Sequence, residues 1–210
     1  VKLLVLGATG GTGREVVAQA LDQGHDVTAF VRDPRRMTSR GSRLRVAVGS
    51  TTDDGAAVAQ AIGGQDVVVS ALGRGSSFRS ADLIARSMRN IVPAMESQRV
   101  KRLIVVSAYG VGESARDALP LPRLMYRLLL RDIFADKAAG EAYLRGSSVD
   151  WTLVYPVALT NGPRTGRYRV GERLPLRGIL PKVSRADVAD FILTQLADTA
   201  YLRKVAVISY

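Results

Sequence analysis

The 210-residue chain has no cysteine and a single histidine, His25. The first absence excludes disulfides, thiolate nucleophiles and cysteine-bound metals, and the second leaves too little imidazole for a histidine-rich metal site. Metal catalysis is therefore not expected. No apolar run approaches the roughly 18 residues that span a bilayer, and strand formers begin at Val1 with no room for a signal peptide. A cytoplasmic location is the resulting expectation. Acids are also few, nineteen Asp and Glu against thirty Lys and Arg, for a formal charge of +11. Such a surface favours anions, whether nucleic acid, acidic lipid or a phosphate-bearing cofactor. Length and 47% hydrophobic content predict one domain spanning residues 1–210.

What is present begins with "LGATGGTG", residues 6–13, which sets Gly7, Gly10 and Gly13 directly after an apolar run at residues 3–6. Glycine tolerates positive φ and lets another molecule approach the main chain closely. A helical stretch follows at 14–22, with Val16, Val17, Ala20 and Leu21 on one face and Gly24 placed as a C-terminal cap. A second strand, "DVTAFV", comes next. Strand, glycine turn, helix and strand in this order suit a dinucleotide, because the free amides of the helix's first turn face its pyrophosphate.

Strand-like runs recur at 44–49, 66–71, 102–107, 151–155 and 204–209, alternating with helical stretches such as 53–62 and 80–97. The latter contains Pro93, which suggests a kink. Parallel strands need crossovers, so the alternation predicts an α/β single-domain Rossmann fold: a doubly wound, mostly parallel sheet with helices on both faces. Segments 110–122 and 161–178 break the rhythm. Both follow the C-terminal end of a strand, where ligands lie in open α/β sheets, so they are expected to frame the substrate.

The end of the second strand selects the cofactor, since an acid there binds the ribose 2′-hydroxyl of NAD and an arginine accepts the 2′-phosphate of NADP. The residue is Arg32, with Arg35 and Arg36 close behind in "RDPRRM". Asp33 competes for the ribose, but three guanidiniums dominate the local field. NADP(H) is the expected cofactor.

With "LGATGGTG", "VTAFVRDP", "GQDVVVSALG", "RLIVVSAYG", "DKAAGEAYLRGSSVDWTLVYP" and "VSRADVADFIL" in order, the chain resembles the NmrA-like, atypical short-chain dehydrogenases. Within them it is most similar to the flavin reductase and biliverdin IXβ reductase branch. The resemblance implies that Gly7, Thr9, Gly10, Gly11, Thr12 and Gly13 bind the pyrophosphate, with Arg32, supported by Arg35, on the 2′-phosphate. It implies that Ala71, Leu72 and Gly73 pass beside the ribose and that Ser107 sits near the nicotinamide carboxamide and the acceptor. Pro156, Val157 and Ala158 would press on the nicotinamide ring, their backbone groups free to fix its carboxamide. Ser50 stands where relatives often carry an aspartate, and Tyr155 replaces an arginine common before that proline.

Most dehydrogenases of the wider superfamily use Tyr-x-x-x-Lys as proton donor, and that pair is absent: Tyr109, Tyr126 and Tyr143 precede Glu113, Leu130 and Ser147 by four positions. Acceptors whose reduced anion is delocalised, such as flavins, quinones and bilins, dispense with it. The expected enzyme is an NADPH-dependent reductase of planar, conjugated, acidic acceptors, with Ser107 foremost, Tyr109 as its challenger and Lys137 within reach of cofactor or acceptor. The alternative is a non-catalytic NADP-binding redox sensor. Arg123, Arg127 and Arg131 beside Leu124, Leu128 and Leu129 form a basic amphipathic helix, read as surface or pocket lining rather than membrane anchor. No nucleic-acid-binding motif accompanies the arginines of 161–178. No sequence feature fixes an oligomeric state.

Overall fold

In β1 (Lys2–Leu6) the four residues after Lys2 are fully buried, which only the middle of a sheet covered on both faces allows. The computed structural model describes residues 1–73, 82–111, 131–178 and 180–210. There β1 pairs in parallel with β2 (Asp26–Val31) on one side and with β4 (Val67–Ser70) on the other. Beyond β2 lies β3 (Leu44–Val48). Beyond β4 come β5 (Arg102–Val106), β6 (Asp150–Pro156) and β10 (Lys204–Ser209), all parallel, and then β8 (Arg169–Gly171), antiparallel to β10. The order β3-β2-β1-β4-β5-β6-β10-β8 is the expected doubly wound sheet. The short β7 (Ala158–Thr160) and β9 (Lys182–Ser184) form a separate parallel pair.

Helices α1 (Gly11–Asp22) and α5 (Arg185–Thr194) cover one face, and α2 (Gly55–Ile62), α3 (Leu83–Ser97) and α4 (Arg131–Arg145) cover the other. Gly24 follows α1 at φ +79°, as a C-terminal cap requires. The Asp54 side chain caps α2 by accepting from the Ala57 amide. Pro93 lies inside α3, which runs through it.

At the N-terminus of α3 the Asp82 side chain makes no cap. Instead Asp136 of α4 accepts from the Ile84 and Ala85 amides at 3.0 and 2.9 Å. One turn on, a side chain at Gly140 would meet Ile84 at 2.8 Å. A carboxylate on orphan amides and a glycine at the crossing lock α4 against α3, and this fixes the helix beneath the ends of β5 and β6.

Segment 161–178 is more than a loop, because β8 within it extends the main sheet. Residues 112–122 of the other predicted insertion, the basic stretch at 123–130 with Tyr126, and Ser80 at the predicted start of the third helix lie outside the described residues. No helix among the described residues is long and apolar enough to cross a membrane.

Candidate functional site

Strand order reverses between β1 and β4, and the glycine loop sits there. Gly7 has φ +77°, and a Cβ on it would fall 2.6 Å from the Ala71 carbonyl oxygen. One on Gly13 would fall 2.2 Å from the Gly7 oxygen. Both positions are therefore closed to any other residue without backbone movement. The loop is drawn tight by Gly10 N–H donating to Gly7 O at 3.0 Å, and Ala71 N–H donates to Leu6 O at 2.9 Å. Gly10 is the N-cap of α1, so no side chain caps this turn, and no acid stands in it. The first turn thus presents positive charge at the carboxyl edge of the sheet, with Gly10 and Gly11 exposed and Thr12 buried beneath. Those features fit a pyrophosphate. Beside the loop, Thr9, Ala71 and Leu72 are half-buried and Gly73 is exposed.

At the end of β2, Asp33 is fully engaged. Arg35 donates to it from its backbone amide, Nε and Nη2 at 3.1, 2.9 and 3.2 Å. The Arg35 guanidinium, seconded by the field of Arg36, holds the Asp33 carboxyl below its ordinary range. Arg32 is exposed and has no partner among the described residues. The acid that competes with it on sequence grounds is therefore occupied by its neighbour. Ser50 donates to Asp53 at 2.8 Å, which pairs with Arg86.

The ends of β5 and β6 carry a buried polar cluster. Ser107, 6% exposed, donates to Glu141 Oε1 at 2.5 Å, and Tyr155 Oη donates to Glu141 Oε2. Arg145 lies 3.7 Å from the same carboxylate. Burial, then the charge of Glu141, push the Tyr155 phenol far up, so it stays protonated. Lys137 Nζ approaches the Val106 carbonyl at 3.4 Å. Burial pulls its ammonium down, and Glu141 and Asp136 oppose the shift. Ser107, Lys137 and Glu141 share with Ile84, Met88 and Leu153 a cavity of about 10 Å³, no more than one water needs. Among the described residues the cluster encloses no space for an acceptor. A larger cleft of about 450 Å³ lies at the opposite, amino edge of β1 to β3, lined by Lys2, Asp26 and Arg43.

Tyr109 follows two residues after Ser107 and is partly buried. It packs against the cores on both faces of the sheet, its amide donating to Pro156 O at 3.0 Å. Of the backbone groups expected to be free at residues 156–158, both amides are taken. Val157 N–H donates to Ile208 O at 3.3 Å and Ala158 N–H to Pro181 O at 3.2 Å, because β10 and the β7–β9 pair close around this strand end. Pro156 and Val157 are buried and Ala158 is exposed.

Two residues escaped the sequence reading. Glu141 carried a detectable signal: with Asp136, Lys137, Gly140 and Leu144 it forms one helical stripe whose polar members face inward, against the usual amphipathic rule. Arg185 carried none. It comes from the far end of the chain, yet its Cδ and Nε lie 2.7 Å from where a Gly11 Cβ would be. Among the described residues no group of three acidic or imidazole side chains is placed to hold a metal ion.

The sequence and the fold have counterparts among known proteins. The chain is 29% identical to an uncharacterized chloroplastic protein of Arabidopsis thaliana over 79% of its own length, spanning 61% of that relative. It is 25% identical to the oxidoreductase stcQ of Emericella nidulans, over 77% of this chain and 66% of that one. Its fold matches the anaerobillin reductase ChuY of Escherichia coli O157:H7 with a TM-score of 0.81, covering 99% of this chain and 96% of that one at 23% identity. Residues 7–199, from the first glycine of the loop to beyond the last helix, match a family model described as NAD(P)H-binding, and the chain belongs to that family.

Proposed function

We propose that this single domain is an NADPH-dependent oxidoreductase acting on a planar, conjugated acceptor such as a flavin, quinone or bilin. The carrying observation is at the end of β2: Arg35 engages both carboxylate oxygens of Asp33, while Arg32 stays exposed and, among the described residues, unpaired. An acid so occupied is a poor ligand for a ribose 2′-hydroxyl, and a bare guanidinium is a good one for a 2′-phosphate. The glycine turn from Gly7 to Gly13 would hold the pyrophosphate, residues 71–73 the ribose and residues 156–158 the nicotinamide end. When bound, the reduced nicotinamide supplies a hydride.

The chain's own groups favour an acceptor that needs no positioned acid. The residue four before Lys137 is Ile133, so the lysine lacks the tyrosine it would activate. Tyr155 is kept protonated by burial and by Glu141. The Ser107 hydroxyl proton is committed to Glu141, which leaves the oxygen as an acceptor and suits Ser107 to orientation. Solvent then protonates the delocalised product anion. The oxidoreductase name of the Emericella relative supports the same reaction class.

The test is to mix the purified protein with NADPH and FMN, FAD, quinones or biliverdin, one at a time, and follow the reduced nicotinamide absorbance. Oxidation with at least one planar acceptor, faster than with NADH, is expected. Tight NADPH binding with no turnover on any of them would instead favour the redox-sensor reading.

A further inference from the structure

Arg185 is the first residue of α5, directly after the Ser184 cap. A cation in the first turn of a helix opposes the helix dipole, so the helix itself gains nothing from it. Its surroundings do not compensate. The acid of the same turn, Asp187, is spent on the Thr165 amide and hydroxyl, the Gly166 amide and the Tyr210 hydroxyl. No carboxylate pairs with Arg185 among the described residues. Its one polar partner there is neutral: Nη1 donates to Asn161 Oδ1 at 2.6 Å.

The side chain also has a fixed destination. It crosses from α5 to lie on the Cα of Gly11, at 2.7 Å from a notional Cβ and with Cζ at 3.5 Å from the same point. Gly11 is the first residue of α1, and its missing side chain leaves the space that the arginine fills. Among the described residues, a guanidinium with no carboxylate partner thus stands over an uncapped, acid-free helix N-terminus at the glycine loop.

We propose that Arg185 is a ligand of the cofactor pyrophosphate, held by Asn161 in the free protein and released to the phosphates when the dinucleotide binds. This rests on the pyrophosphate placement given above. A guanidinium uses five N–H donors, and Asn161 takes one. The contact differs from that of Arg32, because it serves a group common to every nicotinamide dinucleotide and so adds affinity without selecting NADP over NAD. It also ties the arginine-rich segment 161–178 to the cofactor. Asn161 opens that segment, and Ser184 and Asp187 anchor it at Pro163, Thr165 and Gly166.

Calorimetry with ADP-ribose, which has the pyrophosphate but neither nicotinamide nor 2′-phosphate, isolates the contact. Arg185→Ala is expected to weaken ADP-ribose, NADH and NADPH alike by roughly 10- to 150-fold, as loss of a charge-assisted hydrogen bond does. Binding of 2′-AMP, which lacks the pyrophosphate, should not change. Arg185→Lys should recover part of the loss, since a point charge remains and the fork does not. Asn161→Ala should bind ADP-ribose at least as tightly as wild type. Unchanged ADP-ribose affinity in Arg185→Ala, or an equal loss for 2′-AMP, overturns the proposal, as does weakened binding in Asn161→Ala with an unchanged unliganded melting temperature. Failure of every acceptor with ADP-ribose binding and its Arg185 dependence intact would overturn the reductase reading alone.

Discussion

Ser107 donates its hydroxyl proton to Glu141 across 34 residues of sequence, from the end of a strand to the middle of a helix. The same carboxylate receives the Tyr155 phenol, so the ends of two adjacent parallel strands are fastened to one buried acid. An arginine at position 155 would meet Glu141 as an ion pair. Tyrosine keeps the hydrogen bond and removes a buried charge.

Because that proton is committed, Ser107 should orient the reaction and Tyr109 should matter little. Tyr109→Phe is expected to keep at least about a tenth of wild-type kcat with a flavin acceptor, whereas loss of a general acid costs roughly 10²- to 10⁴-fold. Ser107→Ala should cost more than Tyr109→Phe. Steady-state kinetics with saturating NADPH through the neutral pH range decide between them, and a collapse of the Tyr109 variant would make that phenol the proton source.

Arg32→Ala should weaken NADPH roughly 10- to 150-fold and leave NADH nearly unchanged. The structure adds a control. Asp33→Ala should not harm NADH binding, since that acid is tied to Arg35. Fluorescence titration of both cofactors against both variants reads the result; equal losses for NADPH and NADH in Arg32→Ala would remove the 2′-phosphate assignment.

At Gly13 a side chain meets the Gly7 carbonyl at 2.2 Å, backbone against backbone, with no flexible neighbour to yield. Gly13→Val is expected to abolish NADPH binding and lower the melting temperature. Gly24→Ala is the comparison, because a Cβ there meets nothing within 4 Å and only the positive φ is strained. It should cost about 1 kcal/mol in stability and leave cofactor affinity alone. Normal calorimetric affinity in folded Gly13→Val would place the pyrophosphate elsewhere.

Asp187 should govern the acid limb of stability. Burial raises its carboxyl, but the Gly166 amide, the Tyr210 hydroxyl and the Thr165 hydroxyl and amide more than reverse this, leaving it below its ordinary 3.8. The folded state therefore holds the proton less tightly than the unfolded chain. The stabilisation is complete above the ordinary value and is lost as pH falls through the lower folded one. Asp187→Asn should cost about 1.5 to 3 kcal/mol at neutral pH and flatten the acid limb of a melting-temperature profile. An unchanged slope would show that the carboxylate does not anchor residues 165–166 and the last tyrosine.

The sheet was legible in the sequence because its strands are buried on both faces and read as unbroken runs of Val, Ile and Leu, as at residues 3–6 and 67–69. The glycine loop was legible because its requirement is local: Gly7 needs a positive φ and Gly13 a bare α-carbon within one strand-turn-helix unit. The position of Arg32 was legible for the same reason, being set by where β2 ends. Three things needed the tertiary structure. Asp33 is neutralised by a rotamer of Arg35, which the order of residues leaves open. Glu141 becomes the partner of Ser107 and Tyr155 only once Asp136 and Gly140 have docked α4 on α3. Arg185 reaches Gly11 only because α1 and α5 pack on the same face of the sheet, which brings the first turn of one to the first residue of the other across most of the chain. Local backbone demands and burial leave a mark on the sequence around them, as the inward polar stripe of Glu141 does; which side chain of a distant element it meets depends on the packing of every element between, and no spacing records the partner.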